Sequence, residues 1–192
     1  MFEAYNWIAV LLAAIAAYRF VVPAHSAKLL DLVPSQVLPK KPVGWESLEC
    51  LKPYKTQYYL FGPKDGIKVL FIHGISTPAS MVKSFLDRLA LSGFRVLAYD
   101  LYGRGYSCSP GVDYDDFLYI KQIECLLGHV GWDKCHLIGY SMGGGIASIY
   151  TSRFPSKVRK LFIVAPVGLM QMSLLGKLAV VPYLGAFIMH LL

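Results

Sequence analysis

From residue 45 onward, short apolar runs alternate with stretches whose apolar residues recur every three or four positions. That alternation predicts an α/β domain built on a mostly parallel sheet. Residues 46–51 and 56–61 read as a hairpin, and Lys68–Ile72 (KVLFI) as a strand buried on both faces. Pro78–Ser92 is expected to be a helix, with Met81, Phe85 and Leu89 in register along one face and Gly93 just past its end. Arg95–Tyr99, Cys135–Ile138 and Val158–Ala165 are further strands. Asp116–Val130 and Met142–Phe154 are further helices, the second closed by Pro155.

The first residues follow another pattern. Residues 7–18 (WIAVLLAAIAAY) carry no polar side chain except a tyrosine, and Ala4 to Val22 supplies nineteen tolerant residues, close to the roughly twenty that cross a bilayer core. A cleaved signal peptide wants a positive residue before such a run, and MFEAYNW offers only Glu3. An interfacial helix is the other alternative. The expected reading is an uncleaved single-pass anchor over residues 1–22, with the lipid bilayer as partner. Arg19, Lys28, Lys40 and Lys41 lie at or beyond the end of the run and no Lys or Arg precedes it, so the bulk of the chain is expected on the cytosolic face. Residues 23–44, with Pro23, Pro34, Pro39 and Pro42, read as a connector.

Composition narrows the rest. At 192 residues the chain holds one core plus appendages. Its 55% apolar and 16% charged residues and mean hydropathy of +0.47 exclude a disordered segment. The net charge of +7 fits an anionic membrane surface better than nucleic acid, because the basic residues are scattered with no aromatic interleaving. No nucleic-acid partner is expected. Cys50, Cys108, Cys125 and Cys135 form no C-x-x-C pair, so reduced thiols are expected rather than a zinc site or a disulfide framework. Cys135 reads as a small buried hydrophobe. No metal and no cofactor is expected; Gly143, Gly144 and Gly145 do not spell a dinucleotide fingerprint.

Ligand chemistry in open α/β sheets gathers at the carboxyl ends of the strands. There the chain reads His73-Gly74-Ile75-Ser76, then Asp100-Leu101-Tyr102-Gly103-Arg104-Gly105, then Gly139-Tyr140-Ser141-Met142-Gly143. The last is a G-x-S-x-G placed between a strand and a helix. A serine forced into that sharp turn projects its hydroxyl outward, and Gly139 and Gly143 are required where a Cβ would strike the neighbouring strand and helix. Ser141 is the candidate nucleophile. The N–H groups of Met142 and Ile75 are the candidate donors to an oxyanion. His73 reads as a buried histidine that shapes its loop.

The runs HGIS at 73–76, DLYGRGYS at 100–107 and GYSMGG at 139–144 resemble the α/β-hydrolase superfamily, and within it membrane-anchored serine hydrolases of the lipase and esterase type. The likeness covers about residues 56–170. It implies the α/β-hydrolase fold, an eight-stranded sheet, Ser141 as nucleophile, Ile75 and Met142 amides as oxyanion hole, and a lid inserted after the sixth strand. Asp100, Gly103, Arg104, Gly105 and Ser107 match that superfamily's fourth-strand turn, with a loop-shaping role beside His73 and Gly74. The implied substrate is a small-molecule carboxylic ester, lipid-like in the membrane setting, and no cofactor is implied.

The superfamily's order of Ser, then Asp or Glu, then His is broken here. No acidic residue follows Asp133, and His190 is the sole histidine after Ser141. The core over residues 45–168 is therefore expected to reach only the sixth strand. Residues 169–192, apolar with one charge at Lys177, read as the start of the lid. The chain reads as the amino-terminal part of a hydrolase or as an inactive variant. A binding or interaction protein that keeps part of the hydrolase fold is the alternative. The run LFIVAPV at 161–167 is then an unpaired apolar sheet edge.

Overall fold

A computed structural model describes Lys41 and residues 43–168. The expected anchor over residues 1–22, nearly all of the connector, the lid start at 169–192 and His190 lie outside the described residues. Among the described residues no helix is long and apolar enough to cross a membrane.

Six strands make one sheet: β1 (Glu46–Leu51), β2 (Tyr54–Phe61), β3 (Ile67–Ile72), β4 (Phe94–Tyr99), β5 (Cys135–Tyr140) and β6 (Val158–Val164). Their spatial order is β1-β2-β4-β3-β5-β6. The β1–β2 and β2–β4 pairs are antiparallel; β3–β4, β3–β5 and β5–β6 are parallel. The expected α/β class and mostly parallel sheet are thus present. Side chains alternate between two layers. Leu70, Ile72, Leu97 and Leu137 face helices α2 (Asp116–His129) and α3 (Met142–Arg153), where Ile123, Leu126, Ala147 and Tyr150 meet them. Phe71, Val96 and Ala98 face α1 (Lys83–Leu91) through Leu86. Helix α2 begins where the Asp115 carboxylate accepts the Leu118 N–H at 2.8 Å, an N-cap that satisfies one orphan donor.

Two expectations are corrected. The stretch expected to be one helix over 78–92 opens as a 3-10 turn, Ala79–Val82, and becomes α-helical only at Lys83. Met81 is 68% and Phe85 45% exposed, and Leu86 is the residue that fills the core. Fourfold spacing carried across the turn mis-set the face, because a 3-10 turn advances three residues per turn rather than 3.6. Cys50 and Cys125, expected to be reduced, are joined in a disulfide with their Cα atoms 5.5 Å apart. Cys108 and the buried Cys135 are free.

That bond pins the outermost strand β1 to α2 across 75 residues of sequence. Cross-linking so long a loop stabilises a fold by about 4 kcal/mol through the unfolded chain's lost entropy. Bonds of this kind persist in oxidising compartments and are rare in the cytosol. Maleimide titration of the unreduced chain in SDS is expected to find only the two thiols of Cys108 and Cys135, and Cys50→Ser to lower the urea midpoint correspondingly. Four reactive thiols would show that the bond is not made.

Candidate active site

The site is assembled by three loops that leave the carboxyl ends of β3, β4 and β5. Ser141 stands between β5 and α3 with φ 53 and ψ −117, a left-handed conformation that costs a non-glycine residue about 1–3 kcal/mol and persists only when its surroundings over-determine it. Backbone bonds hold it there. The Ser141 N–H donates to the Val164 carbonyl at 2.9 Å, while the Ser141 carbonyl accepts from Gly144 at 3.0 Å and Val167 at 3.1 Å. The hydroxyl makes no capping bond to α3, and the residue is partly exposed.

The expected glycine requirement is met by close approach. A Cβ on Gly139 would stand 2.5 Å from the Gly143 carbonyl oxygen, and one on Gly143 2.2 Å from that of Ile72. Backbone oxygens at those distances cannot yield, so these two positions let α3 lie directly on the sheet. Gly74, in the loop after β3, packs against the serine: a Cβ there would be 3.1 Å from Ser141 Cβ and 3.2 Å from Thr77 Oγ1. Ile75 follows on the exposed side of that loop, and Met142 opens α3.

His73 is fully buried. Its Nε2 accepts the Leu101 N–H at 2.9 Å, which leaves the proton on Nδ1 to donate to the Gly74 carbonyl at 2.6 Å. Burial, opposed by that Gly74 bond and assisted by the Arg104 charge, pushes its pKa down to about 4. Asp100 Oδ1 lies 3.9 Å from Nε2, but an imidazole that is neutral and accepts at Nε2 makes no ion pair with it. Both ring nitrogens serve the backbone, so neither is free to take a proton from Ser141. His73 is the loop-shaping histidine expected from the sequence.

Asp100, also fully buried, ties the loops after β3 and β4 together. Its carboxylate accepts from the Ala79 N–H at 3.0 Å and the Tyr106 N–H at 2.9 Å. Gly105, at φ 53, exists to admit it: a Cβ there would fall 2.2 Å from Asp100 Oδ2. Gly103 makes the preceding turn at φ 71. Arg104 Nε donates to the Ile75 carbonyl at 2.6 Å, so the β4 loop braces the β3 loop directly. The Ser107 hydroxyl donates to the Asp100 carbonyl at 2.6 Å and accepts from Gln57 N–H at 2.9 Å. Two contributors escaped the sequence reading. Gln122, fully buried on α2, donates to Thr56 Oγ1 and the Asp100 carbonyl; a glutamine on the apolar face between Tyr119 and Ile123 was the available signal. Thr77 has a buried hydroxyl with no hydrogen-bond partner, and nothing in its local sequence marks it. Among the described residues no group of His, Cys, Asp and Glu could hold a metal.

A family model described as the alpha/beta hydrolase fold matches residues 68–182. The chain belongs to that family. It is 33% identical over 127 residues to an sn-1-specific diacylglycerol lipase, ABHD11, of Danio rerio, covering 63% of this chain and 38% of the relative. It is 31% identical over 121 residues to the monoacylglycerol lipase abhd6-A of Xenopus laevis, covering 61% and 36%. The crystal structure of a membrane phospholipase A superposes with a TM-score of 0.61 at 26% identity, over 90% of this chain and 55% of that one. The chain thus spans less than two fifths of the length of either lipase.

The Asp100 environment makes a pH prediction. Burial, offset by the Tyr106 and Ala79 N–H groups, raises its carboxyl from 3.8 to about 6. A carboxyl raised in the folded state stabilises the fold while protonated, fully below about 3.8, and that contribution is lost as pH rises through about 6. Asp100→Asn has no such titration. It is therefore expected to cost about 2 kcal/mol more at pH 4 than at pH 7, read from urea midpoints. A cost independent of pH would show an ordinary carboxyl.

Proposed function

We propose that this α/β-hydrolase chain carries the nucleophile half of a serine hydrolase for carboxylic esters, with lipid-like substrates. The observation that supports it best is the Ser141 turn: a strained, non-glycine φ of 53, a hydroxyl not spent on capping, and Gly74 against its Cβ. Strain kept at a residue whose side chain serves no structural bond points to chemistry. In the proposed reaction Ser141 Oγ attacks the ester carbonyl carbon. The carbonyl oxygen, now carrying the charge, takes hydrogen bonds from the N–H groups of Ile75 and Met142. The first N–H of a helix has no carbonyl of its own helix to bond, so that of Met142 is available. The ester C–O bond breaks, the alcohol leaves with the serine proton, and water then cleaves the acyl-serine to a carboxylic acid and restores Ser141.

A serine needs a base to attack at a useful rate, and no imidazole among the described residues is placed to serve. The acid and base of the proposed reaction therefore come from outside residues 43–168. Lipid-like substrates are supported by the two lipase relatives and by the nineteen-residue apolar run at Ala4 to Val22, which would place the enzyme at the bilayer holding its substrate. The commitment of both His73 nitrogens to backbone favours a second reading, a membrane-bound interaction protein on the same fold.

A fluorophosphonate probe discriminates the two. Labelling of one serine in the wild-type chain, abolished in Ser141→Ala, is the expected result; a wild-type protein that takes no label at any exposure would end the enzymatic reading. Alkaline carbonate extraction is expected to leave the chain in the membrane pellet, and protease protection in sealed microsomes assigns the face. Release into the supernatant would remove the anchor from the proposal.

A further inference from the structure

At the opposite end of the strands from Ser141, the amino ends of β3, β5 and β6 border a groove of about 560 Å³ lined by Gly66, Ile67, Lys68, Asp133, Lys134, His136 and Arg159. It lies a strand's length, roughly 20 Å, from the nucleophile turn. Its walls are cationic from three separate segments: Lys68 on β3, Lys134 just before β5, and Arg159, followed by Lys160, on β6. Asp133 is the sole carboxylate in the lining.

Three independent features separate this groove from an ordinary solvated surface. The first is its backbone. In the parallel β5–β6 pair Cys135 is opposite Val158 but Leu137 is opposite Leu161, so two residues, Arg159 and Lys160, stand across from the single residue His136. Bulges are uncommon in parallel pairs and are devices that re-aim side chains; this one doubles the positive charge facing His136. The second is pairing. The ion pairs of the described residues are made by Lys83, Arg153 and Lys157, and none of Lys68, Lys134, Arg159 and Lys160 is among them. Lys68 instead rests over the Trp132 ring, 5.8 Å from its centre, with its stem held at the groove. The third is the local field. The His136 imidazole is held below its usual pKa by burial and then by the Lys160 and Arg159 charges, so these two cations of β6 act on the ring in the groove lining. Gathering Lys68, Lys134 and Arg159 around one concavity against the single carboxylate of Asp133 opposes folding, and a bound anion relieves it.

We propose that this groove binds a phosphate-bearing anion, with Lys68, Lys134, Arg159 and Lys160 as its counter-charges and His136 as a donor to its oxygens. Arginine and lysine on converging walls suit a dianionic phosphate, the guanidinium supplying paired N–H donors and the ammonium groups point charge. The shared chemistry belongs equally to a soluble phosphate compound and to a phosphate lipid headgroup. The inference is independent of the serine chemistry at the other end of the sheet.

The test uses the whole 192-residue chain in neutral detergent or neutral vesicles. It is titrated separately with inorganic pyrophosphate and with vesicles of phosphatidylcholine containing phosphatidic acid, while the His136 ring is followed by NMR. Binding is expected to raise the His136 pKa, since a bound anion favours imidazolium. Arg159→Gln and Lys134→Gln are each expected to weaken binding about tenfold, the loss of roughly one charge-assisted contact. Lys121→Gln, exposed on α2, is expected to leave it unchanged. Because Arg159→Gln removes repulsion, its urea midpoint is expected to hold or rise, so lost binding is not lost folding. Pyrophosphate binding alone identifies a soluble ligand, and vesicle binding alone a headgroup; either supports the site. Binding of neither probe, or equal weakening by Lys121→Gln, overturns it, since the second outcome is the signature of the chain's diffuse +7 charge rather than of a groove.

Discussion

The structure turns on how closely α3 lies against the sheet. With no side chain at Gly143 the helix comes within 2.2 Å, measured from where a Cβ would be, of the Ile72 carbonyl oxygen. With none at Gly139 the strand before the turn can approach the first turn of the helix. Distances that small leave the connecting residue no room for an ordinary conformation, so Ser141 takes a positive φ. The backbone bonds to Val164, Val167 and Gly144 then compensate part of the strain. Sterics at two glycines thus become a strained serine turn whose hydroxyl makes no capping bond, a chain of cause that runs from composition to local geometry without any appeal to catalysis.

A second layer of organisation holds what faces that hydroxyl. The loops after β3 and β4 are fixed by buried polar groups as well as by the buried Leu101 and Tyr102. His73 and Asp100 do this work with opposite electrostatics. The histidine avoids the cost of burial by staying neutral, its two nitrogens divided between a donor and an acceptor on the backbone. The aspartate keeps two backbone N–H partners and yet is still pushed toward its protonated form. Gln122 and Ser107 saturate the Asp100 carbonyl. A buried polar network of this kind is stable only while every member is satisfied, which is why Arg104, reaching from one loop to the Ile75 carbonyl of the other, matters to the shape of the site although it is partly exposed.

Much of this was legible in the sequence because the underlying patterns are local. KVLFI declared a strand buried on both faces, and all three glycine-rich strand ends fell at one edge of the sheet, since a parallel arrangement sends every carboxyl end the same way. The expected ends of α2 and α3 differ from the observed ones by a single residue. The failures are non-local or depend on exact backbone geometry. Cys50 and Cys125 are 75 residues apart, and no spacing rule joins a strand of a hairpin to a later helix. Met81 was counted into a helical period that the chain had not yet entered, which carried Phe85 onto the wrong face of the helix that begins at Lys83. Thr77 and Gln122 became parts of the site only when other segments closed around them.

The two edges of the described sheet are treated unequally, and the inequality reaches Ser141. On one side β1 is tied to α2 by the disulfide and by Tyr58, which donates to Glu46 at 2.5 Å and contacts His129 at 2.9 Å. On the other, β6 ends the sheet with Phe162 61% and Val164 41% exposed, an apolar edge of the kind that folded proteins ordinarily cover or pair. The Ser141 N–H bonds Val164 itself, and its carbonyl bonds Val167 just beyond. Fraying of β6 would release both bonds together and leave Gly144 and Gly145 to hold the strained turn from the helix side alone. Anything that pairs with or covers β6 therefore rigidifies Ser141 without touching it, so the order of the Ser141 turn is set as much by the last strand of the described sheet as by the glycines around it.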